Sequence, residues 1–454
     1  MKIVIIGGGM VGHSIVRSLS FEGHDIILID KDKTVVDDIV NEYDIKAICG
    51  NGVLSEIQKQ AECNRADIVI CVTDSDEMNI ISSIVAKTLG AKTTIVRVRN
   101  PEYSKQYEFM RNNMHIDLML NPERETAKEI SELLRFPYAL HTTPFAGGKL
   151  SSITIEVPED CNLVGLKISD IEVVFNVNVN IYAVQRNDEF IIPQNDFVIK
   201  EADNLYILGK PEALKVFSKK IGMVKTKVKN AMILGGSRIA FYLAEMLIEN
   251  KINVKIIEKN KDVCEEISNI LPGVTLVLAN GSDYHVLEEE GVENIDAFIT
   301  LTGNDEENIV VSLYAQNKGV ENVITKVNSK DLLKIAEKVD LKRLVSTKNS
   351  TSIEIVKFAR KLEVEQEESN TISSLSKIIE EKGEVLEFQI TDNAYAPIQF
   401  KDLNFIKDTL IVCIIRNNDF IIPEASDILK LNDKVIVVTK NTQLNSLEDI
   451  FKKK

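Results

Sequence analysis

Several absences narrow the field before any motif is read. No stretch approaches the roughly 18 to 20 consecutive apolar residues that a helix needs to cross a bilayer. The apolar N-terminus runs straight into glycines without a small-residue cleavage site, so the chain reads as cytosolic. The six cysteines, Cys49, Cys63, Cys71, Cys161, Cys264 and Cys413, form no CxxC pair, and several fall in apolar runs of strand type. They are expected as reduced core residues. The five histidines show no i, i+4 pairing and no Cys or carboxylate at ligand spacing, so no metal site is expected. Basic charge is outweighed as well: a net charge of −15 repels phosphate backbones and anionic lipid, which excludes nucleic acid as a partner. The local cluster Lys225, Lys227 and Lys229 reads as a solvated hinge. No segment is low in complexity, and 44% hydrophobic with 27% charged residues fits a globular chain.

What is present is a duplication. KIVIIGGGMVGHSIVRSLSFEGHDIILID, from Lys2 to Asp30, returns as AMILGGSRIAFYLAEMLIENKINVKIIEK, from Ala231 to Lys259. ADIVICVTDSDEMNI (Ala66 to Ile80) returns as IDAFITLTGNDEENI (Ile295 to Ile309), and RNDEFIIP (Arg186 to Pro193) as RNNDFIIP (Arg416 to Pro423). Two module types therefore alternate, and the expected boundaries are 1–136, 137–222, 230–365 and 369–454. The fold class expected is α/β: two Rossmann-like, doubly wound parallel-sheet domains alternating with two small α+β domains. The small modules are short enough to lean on a neighbour or an oligomer partner.

In the first large module KIVII is a continuous β-branched run that suits a strand covered on both faces. The turn Gly7, Gly8, Gly9, Met10, Val11, Gly12 follows it and opens a helix. Gly7 permits the tight turn, Gly9 lets backbone approach a pyrophosphate, and Gly12 lets helix pack on strand. The helix N-terminus offers free amides and partial positive charge to the phosphates. Asp30 ends the next strand, where a carboxylate accepts both ribose hydroxyls and repels a 2′-phosphate, which favours NAD over NADP. Asn51 and Gly52 after the third strand, and Thr73 and Asp74 after the fourth, either cap local turns or share that crevice. Arg97, ending the fifth strand, either pairs with phosphate or faces solvent.

The second copy keeps Gly235, Gly236, Glu258, Gly281, Thr302 and Lys326 at the places of Gly7, Gly8, Asp30, Gly52, Thr73 and Arg97. It changes Gly9 to Ser237, Met10 to Arg238, Val11 to Ile239 and Gly12 to Ala240. Ser237 adds a side chain where backbone must come close. Arg238 complements phosphate charge, or is an exposed first-turn residue or a bridge to another module. The second site is expected to take a different nucleotide, or to bind more weakly. In the small modules, Asn187 with Asp188 and Asn417 with Asn418 suit hairpin turns. Arg186, Pro193 and Asp203 recur as Arg416, Pro423 and Asp433, and either shape a ligand cleft or subunit contact or serve the hairpin.

The module order, GGGMVG with Asp30, the Asn51–Gly52 pair, VTDSDEMNI with LTGNDEENI, and RNDEFIIP in each small module resemble the RCK (KTN) domains that regulate potassium flux. The resemblance covers essentially the whole chain, and the likeness is to the regulatory subunits of Trk-type potassium uptake systems. It implies binding of NAD(H) and adenine nucleotides, with ATP or ADP a candidate at the second site. It also implies a homo-oligomeric ring, expected as a tetramer, docked on the cytoplasmic face of a membrane potassium-translocating subunit. No catalytic residues and no enzymatic activity are expected. One rival is an NAD-dependent oxidoreductase, whose candidate acid-base residue, His141, has no matching His in the second small module. Another is a redox-sensing transcription regulator, which would need a basic helix-turn-helix.

Overall fold

The structure is a computed structural model that describes residues 1–104, 106–187, 189–223, 227–365, 372–378, 383–390, 399–417, 419–440, 444 and 446–451. Asp188, Lys225 and Asn418 lie outside the described residues. The chain divides into two compact units, one of Met1–Lys128 with Ser237–Leu243 and Val345–Ala359, the other of Glu129–Gly236, Ala244–Leu344 and Arg360–Lys454.

The first unit is built on β1 (Lys2–Ile6), β2 (Asp25–Asp30), β3 (Lys46–Cys49), β4 (Ile68–Cys71), β5 (Thr93–Arg97) and β6 (Leu118–Leu120). They pair in parallel in the order β3-β2-β1-β4-β5-β6. Ile3, Val4 and Ile5 in β1, and Ile68, Val69, Ile70 and Cys71 in β4, have no exposure, as strands covered by helices on both faces require. The helices Met10–Phe21, Lys33–Glu42, Ser55–Gln60 and Asp76–Leu89 make the crossovers. Strand order reverses between β1 and β4, so a crevice opens beyond their carboxyl ends, where folds of this class take ligands.

The second unit holds three sheets. The first comprises β7 (His141–Phe145), β8 (Leu150–Glu156), β9 (Val179–Arg186), β10 (Glu189–Ile191) and β11 (Asn204–Gly209) in antiparallel order β10-β9-β11-β8-β7. The second comprises β12 (Asn230–Leu234), β13 (Asn253–Glu258), β14 (Val274–Leu278), β15 (Ala297–Thr300), β16 (Asn322–Lys326) and β17 (Leu344–Val345), ordered β14-β13-β12-β15-β16-β17. The third comprises β18 (Ile372–Ile378), β19 (Gly383–Gln389), β20 (Thr409–Arg416), β21 (Asp419–Ile421) and β22 (Lys434–Thr439), ordered β18-β19-β22-β20-β21. The fold class is therefore the alternating one: two Rossmann-like sheets and two small antiparallel modules.

The two small modules share a core. Phe145, Leu150, Tyr182 and Tyr206 of one pack with Val412, Ile415, Phe420 and Ile436 of the other in one buried cluster. Asn180 Nδ2 donates to Val412 O at 2.7 Å, and Ala146 N donates to the buried Glu387 at 2.7 Å. In each module the hairpin loop has two residues, and Asn187 (φ 50°) and Asn417 (φ 51°) adopt the left-handed backbone that Asn tolerates. Arg186 Nε and Nη2 each donate to Asp203 at 2.7 Å, and Nη2 also donates to Val198 O. Arg416 repeats this on Asp433 and Ile428 O. The recurring Arg and Asp are thus an internal clamp between hairpin and neighbouring loop. The cysteine expectation needs one correction: Cys63, Cys71, Cys161, Cys264 and Cys413 are buried, but Cys49 is exposed because β3 is the edge strand. Burial pushes the Cys63 thiol up to about 12, so it stays protonated.

Candidate functional site

The first crevice is shaped by close backbone contacts. Gly7 adopts φ 107°, and a Cβ there would lie 2.8 Å from Thr73 N and 2.9 Å from Val72 C, so the turn rests flat on the end of β4. A Cβ on Gly12 would collide with the Gly7 carbonyl oxygen, which explains why the helix Met10–Phe21 can approach so closely. Gly9 is different. It is the N-cap of that helix, no side chain caps the amides, and a Cβ there would meet nothing within 4 Å. The open space adjoins the N-terminus of that helix, whose first amides have no intrahelical acceptor.

Asp30 closes the other side. Its carboxylate accepts from Gly8 N at 2.6 Å and from Asp32 N at 2.8 Å, so it holds the turn as well as facing the crevice. Each oxygen retains acceptor capacity for a further hydroxyl. Gly52 lies against the end of β1, since a Cβ would collide with Ile6 Cγ2, and Asn51 Oδ1 accepts from Val53 N in the turn before it. Val11 is buried, whereas Met10 is 66% exposed. Thr73 is half-buried and Asp74 exposed. Arg97 does not face solvent: it is buried and paired with Glu123 at 2.9 Å, in the helix Pro122–Arg135 that follows β6. Its charge is already met within the protein.

In the second copy Gly235 (φ 95°) approaches Thr302 in the same manner, at 3.1 Å from a Cβ to Thr302 N. Glu258 accepts from Gly236 N at 2.6 Å and Asn260 N at 2.7 Å, matching Asp30 bond for bond. A Cβ on Gly281 would collide with Leu234 Cδ1, and Lys326 Nζ donates to Thr302 O. Ser237, Arg238 and Ile239 follow Gly236 and open the helix Arg238–Glu249, with Ser237 Oγ accepting from Ala240 N at 3.4 Å. Ile239 is buried and Arg238 exposed. The Glu77 carboxyl is held low mainly by the Ser75 hydroxyl, with a lesser contribution from the Arg238 charge. Arg238 belongs to the segment Ser237–Leu243 that clusters with Met1–Lys128 in the first unit.

Thr73 is held by residues outside the expected site. Asp76 accepts from Arg99 N at 2.9 Å and Asn100 N at 2.7 Å, and Asn79 binds both Thr73 and Arg97. Asp305 and Asn308 repeat the pattern on Asn328, Ser329, Thr302 and Lys326. The signal was available, because both pairs fall inside the repeated DSDEMN and GNDEEN segments. Among the described residues no cluster of His, Cys, Asp or Glu is arranged to hold a metal, and no helix is long and apolar enough to cross a membrane.

Comparison with known proteins matches this duplication module by module. Residues 3–122 and 231–347 match the TrkA-N domain, and residues 153–222 and 385–452 the TrkA-C domain. A Trk system potassium uptake protein TrkA homolog of Archaeoglobus fulgidus is 31% identical, with 100% of each chain covered. The TrkA of Haemophilus influenzae is 26% identical over 99% of this chain and 98% of its own. Among solved structures, the GsuK RCK domain superposes with a TM-score of 0.61 at 18% identity, covering 97% of this chain and 93% of that one. A GsuK channel bound to NAD gives the same TM-score and identity over 97% of this chain and 77% of that one, a likeness of fold. With both domain types matched twice and relatives aligned over the full length, the chain belongs to the TrkA family of Trk system potassium uptake proteins.

Proposed function

We propose that this chain is a nucleotide-responsive regulatory subunit that gates a membrane potassium-translocating partner, with NAD(H) in the first crevice and an adenine mononucleotide such as ATP or ADP, or no ligand, at the second. The four modules, 1–136, 137–222, 230–365 and 369–454, act as two nucleotide-binding and two coupling domains. Copies assemble into a ring, a tetramer by the resemblance, held at the inner face of the membrane by the partner. Ligands with different affinities for two ring conformations shift their populations, and the ring transmits the change.

The observation that carries this reading is the open space at Gly9, bordered by uncapped helix amides and the Asp30 carboxylate. In this arrangement the pyrophosphate meets the amides and partial charge of the helix terminus, and Asp30 accepts from the ribose. The solved GsuK channel bound to NAD shares the fold and supports the choice of ligand class. Gly9→Val tests it, because the added methyls enter space the protein itself leaves empty. Calorimetry is expected to show NADH binding lost with the melting temperature kept within about 2 °C, since a surface change away from contacts moves stability by less than about 0.5 kcal/mol. Unchanged NADH affinity in Gly9→Val would remove the crevice from the function.

A further inference from the structure

Each crevice contains a buried asparagine that no cap or turn accounts for. Asn79 has no exposure and commits its whole amide to two strand ends. Its Oδ1 accepts from Thr73 N and Thr73 Oγ1, both at 2.7 Å, while its Nδ2 donates to Thr73 O at 3.2 Å and Arg97 O at 3.0 Å. Asn308 does the same: Oδ1 accepts from Thr302 N at 3.0 Å and Oγ1 at 2.8 Å, and Nδ2 donates to Thr302 O at 3.3 Å and Lys326 O at 3.0 Å. Neither is needed as a helix cap. Ser75 already caps the helix Asp76–Leu89 through Met78 N, and Asn304 caps Asp305–Asn317 through Glu307 N.

Their place in the sheet gives them a different task. The paired registers of β4 and β5 end at Cys71 with Val96, and those of β15 and β16 at Thr300 with Thr325. Beyond these points the ladder pairing stops, and the asparagine bonds to the two chain ends that leave it. Thr73 and Thr302, the residues it grips, are also the backbone against which Gly7 and Gly235 lie. The depth of each glycine turn is therefore set by where the threonine sits.

We infer that Asn79 and Asn308 are positioning residues for the bound nucleotide, acting through Thr73 and Thr302 to hold the glycine turn at the depth where helix amides reach the phosphates. The inference rests on the nucleotide reading above. Asn79→Asp keeps the shape but turns a carboxylate oxygen toward the carbonyls of Thr73 and Arg97, where a donor stood.

The test is calorimetric titration of the full chain with NADH, reading dissociation constant and stoichiometry separately, with Gly9→Val marking the first-site component. Asn79→Asp is expected to weaken that component about tenfold or more while stoichiometry is unchanged, as follows from setting an acceptor against two buried acceptors. A purely structural role would reduce the fraction of competent protein and leave the constant alone, and that result overturns the inference. Thr73→Val is the milder arm, because it removes only the hydroxyl and keeps the backbone bonds. A severalfold weakening is expected there, and an unchanged constant overturns the inference even if Asn79→Asp fails to fold. Loss in neither asparagine nor threonine variant, with loss in Gly9→Val, sinks the positioning role alone. Retention in Gly9→Val sinks the nucleotide reading beneath it.

Discussion

The two glycine turns follow one plan and differ in side chains that face opposite demands. In the first, Gly9 stands in open space and Gly12 meets the Gly7 carbonyl so closely that no side chain fits. In the second, the same places hold Ser237 and Ala240, and the latter is a residue the first turn's approach would not admit. The acidic anchors, by contrast, are equivalent: Asp30 and Glu258 each bind the amide of the second glycine and the amide two residues on. The comparison teaches that duplication preserved the walls of the crevice and let the glycine end diverge. Arg238 takes the place of the exposed Met10, so a cation was added where space was lost.

The sharpest way to break this comparison is Gly12→Ala, which gives the first copy the residue of the second. Overpacking against backbone is expected to cost on the order of 3 kcal/mol of stability, with NADH binding lost as well. A melting curve matching the parent would show that the close approach is dispensable. Next comes the pair Asp30→Ala and Glu258→Ala. Each removes two amide anchors from its own turn, and Asp30→Ala also removes the proposed ribose acceptor. A loss of about 2 kcal/mol, roughly thirtyfold in NADH affinity, is expected for Asp30→Ala. Glu258→Ala should leave the first-site constant within about twofold, consistent with the additivity of distant, independent sites. Equal losses in both variants would mean that the sites are not separate.

The smallest expected difference between copies concerns the small modules, which are alike. Arg186→Ala and Arg416→Ala each leave a buried aspartate, Asp203 or Asp433, without its guanidinium. Each should cost about 2 kcal/mol, because an orphaned buried carboxylate is expensive. The two values are expected to agree within about 0.5 kcal/mol in chemical denaturation. A large inequality would show that one clamp carries load the other does not.

Much of the fold is legible in the sequence for a physical reason: strand, turn and helix follow one another locally, and β-branched runs such as KIVII leave little choice of partner face. The glycine positions are legible because backbone approach has no substitute for glycine. What escapes is long-range. Arg97 finds Glu123 from beyond a further strand, and nothing local announces that pairing. Asn79 looks like one more polar residue in a helix until the parting of β4 and β5 gives it two strand ends to hold. Cys49 sits in an apolar run, yet β3 ends the sheet and leaves the thiol outside. The small modules were expected to lean on something; which partner they chose depended on side chains such as Phe145 and Phe420 meeting across two sheets.

That shared core has a consequence for how the chain was assembled as an object. Two half-length chains meeting through this face would separate on dilution, because association of free molecules follows their concentration. Joined in one polypeptide, the halves see each other at an effective concentration fixed by the covalent link and not by the amount of protein. Their pairing is then independent of how much protein the cell makes. A fragment ending near residue 222 would recover that dependence, presenting the apolar face of β8, β9 and β11 to a second copy of itself and changing from monomer to dimer as its concentration rises.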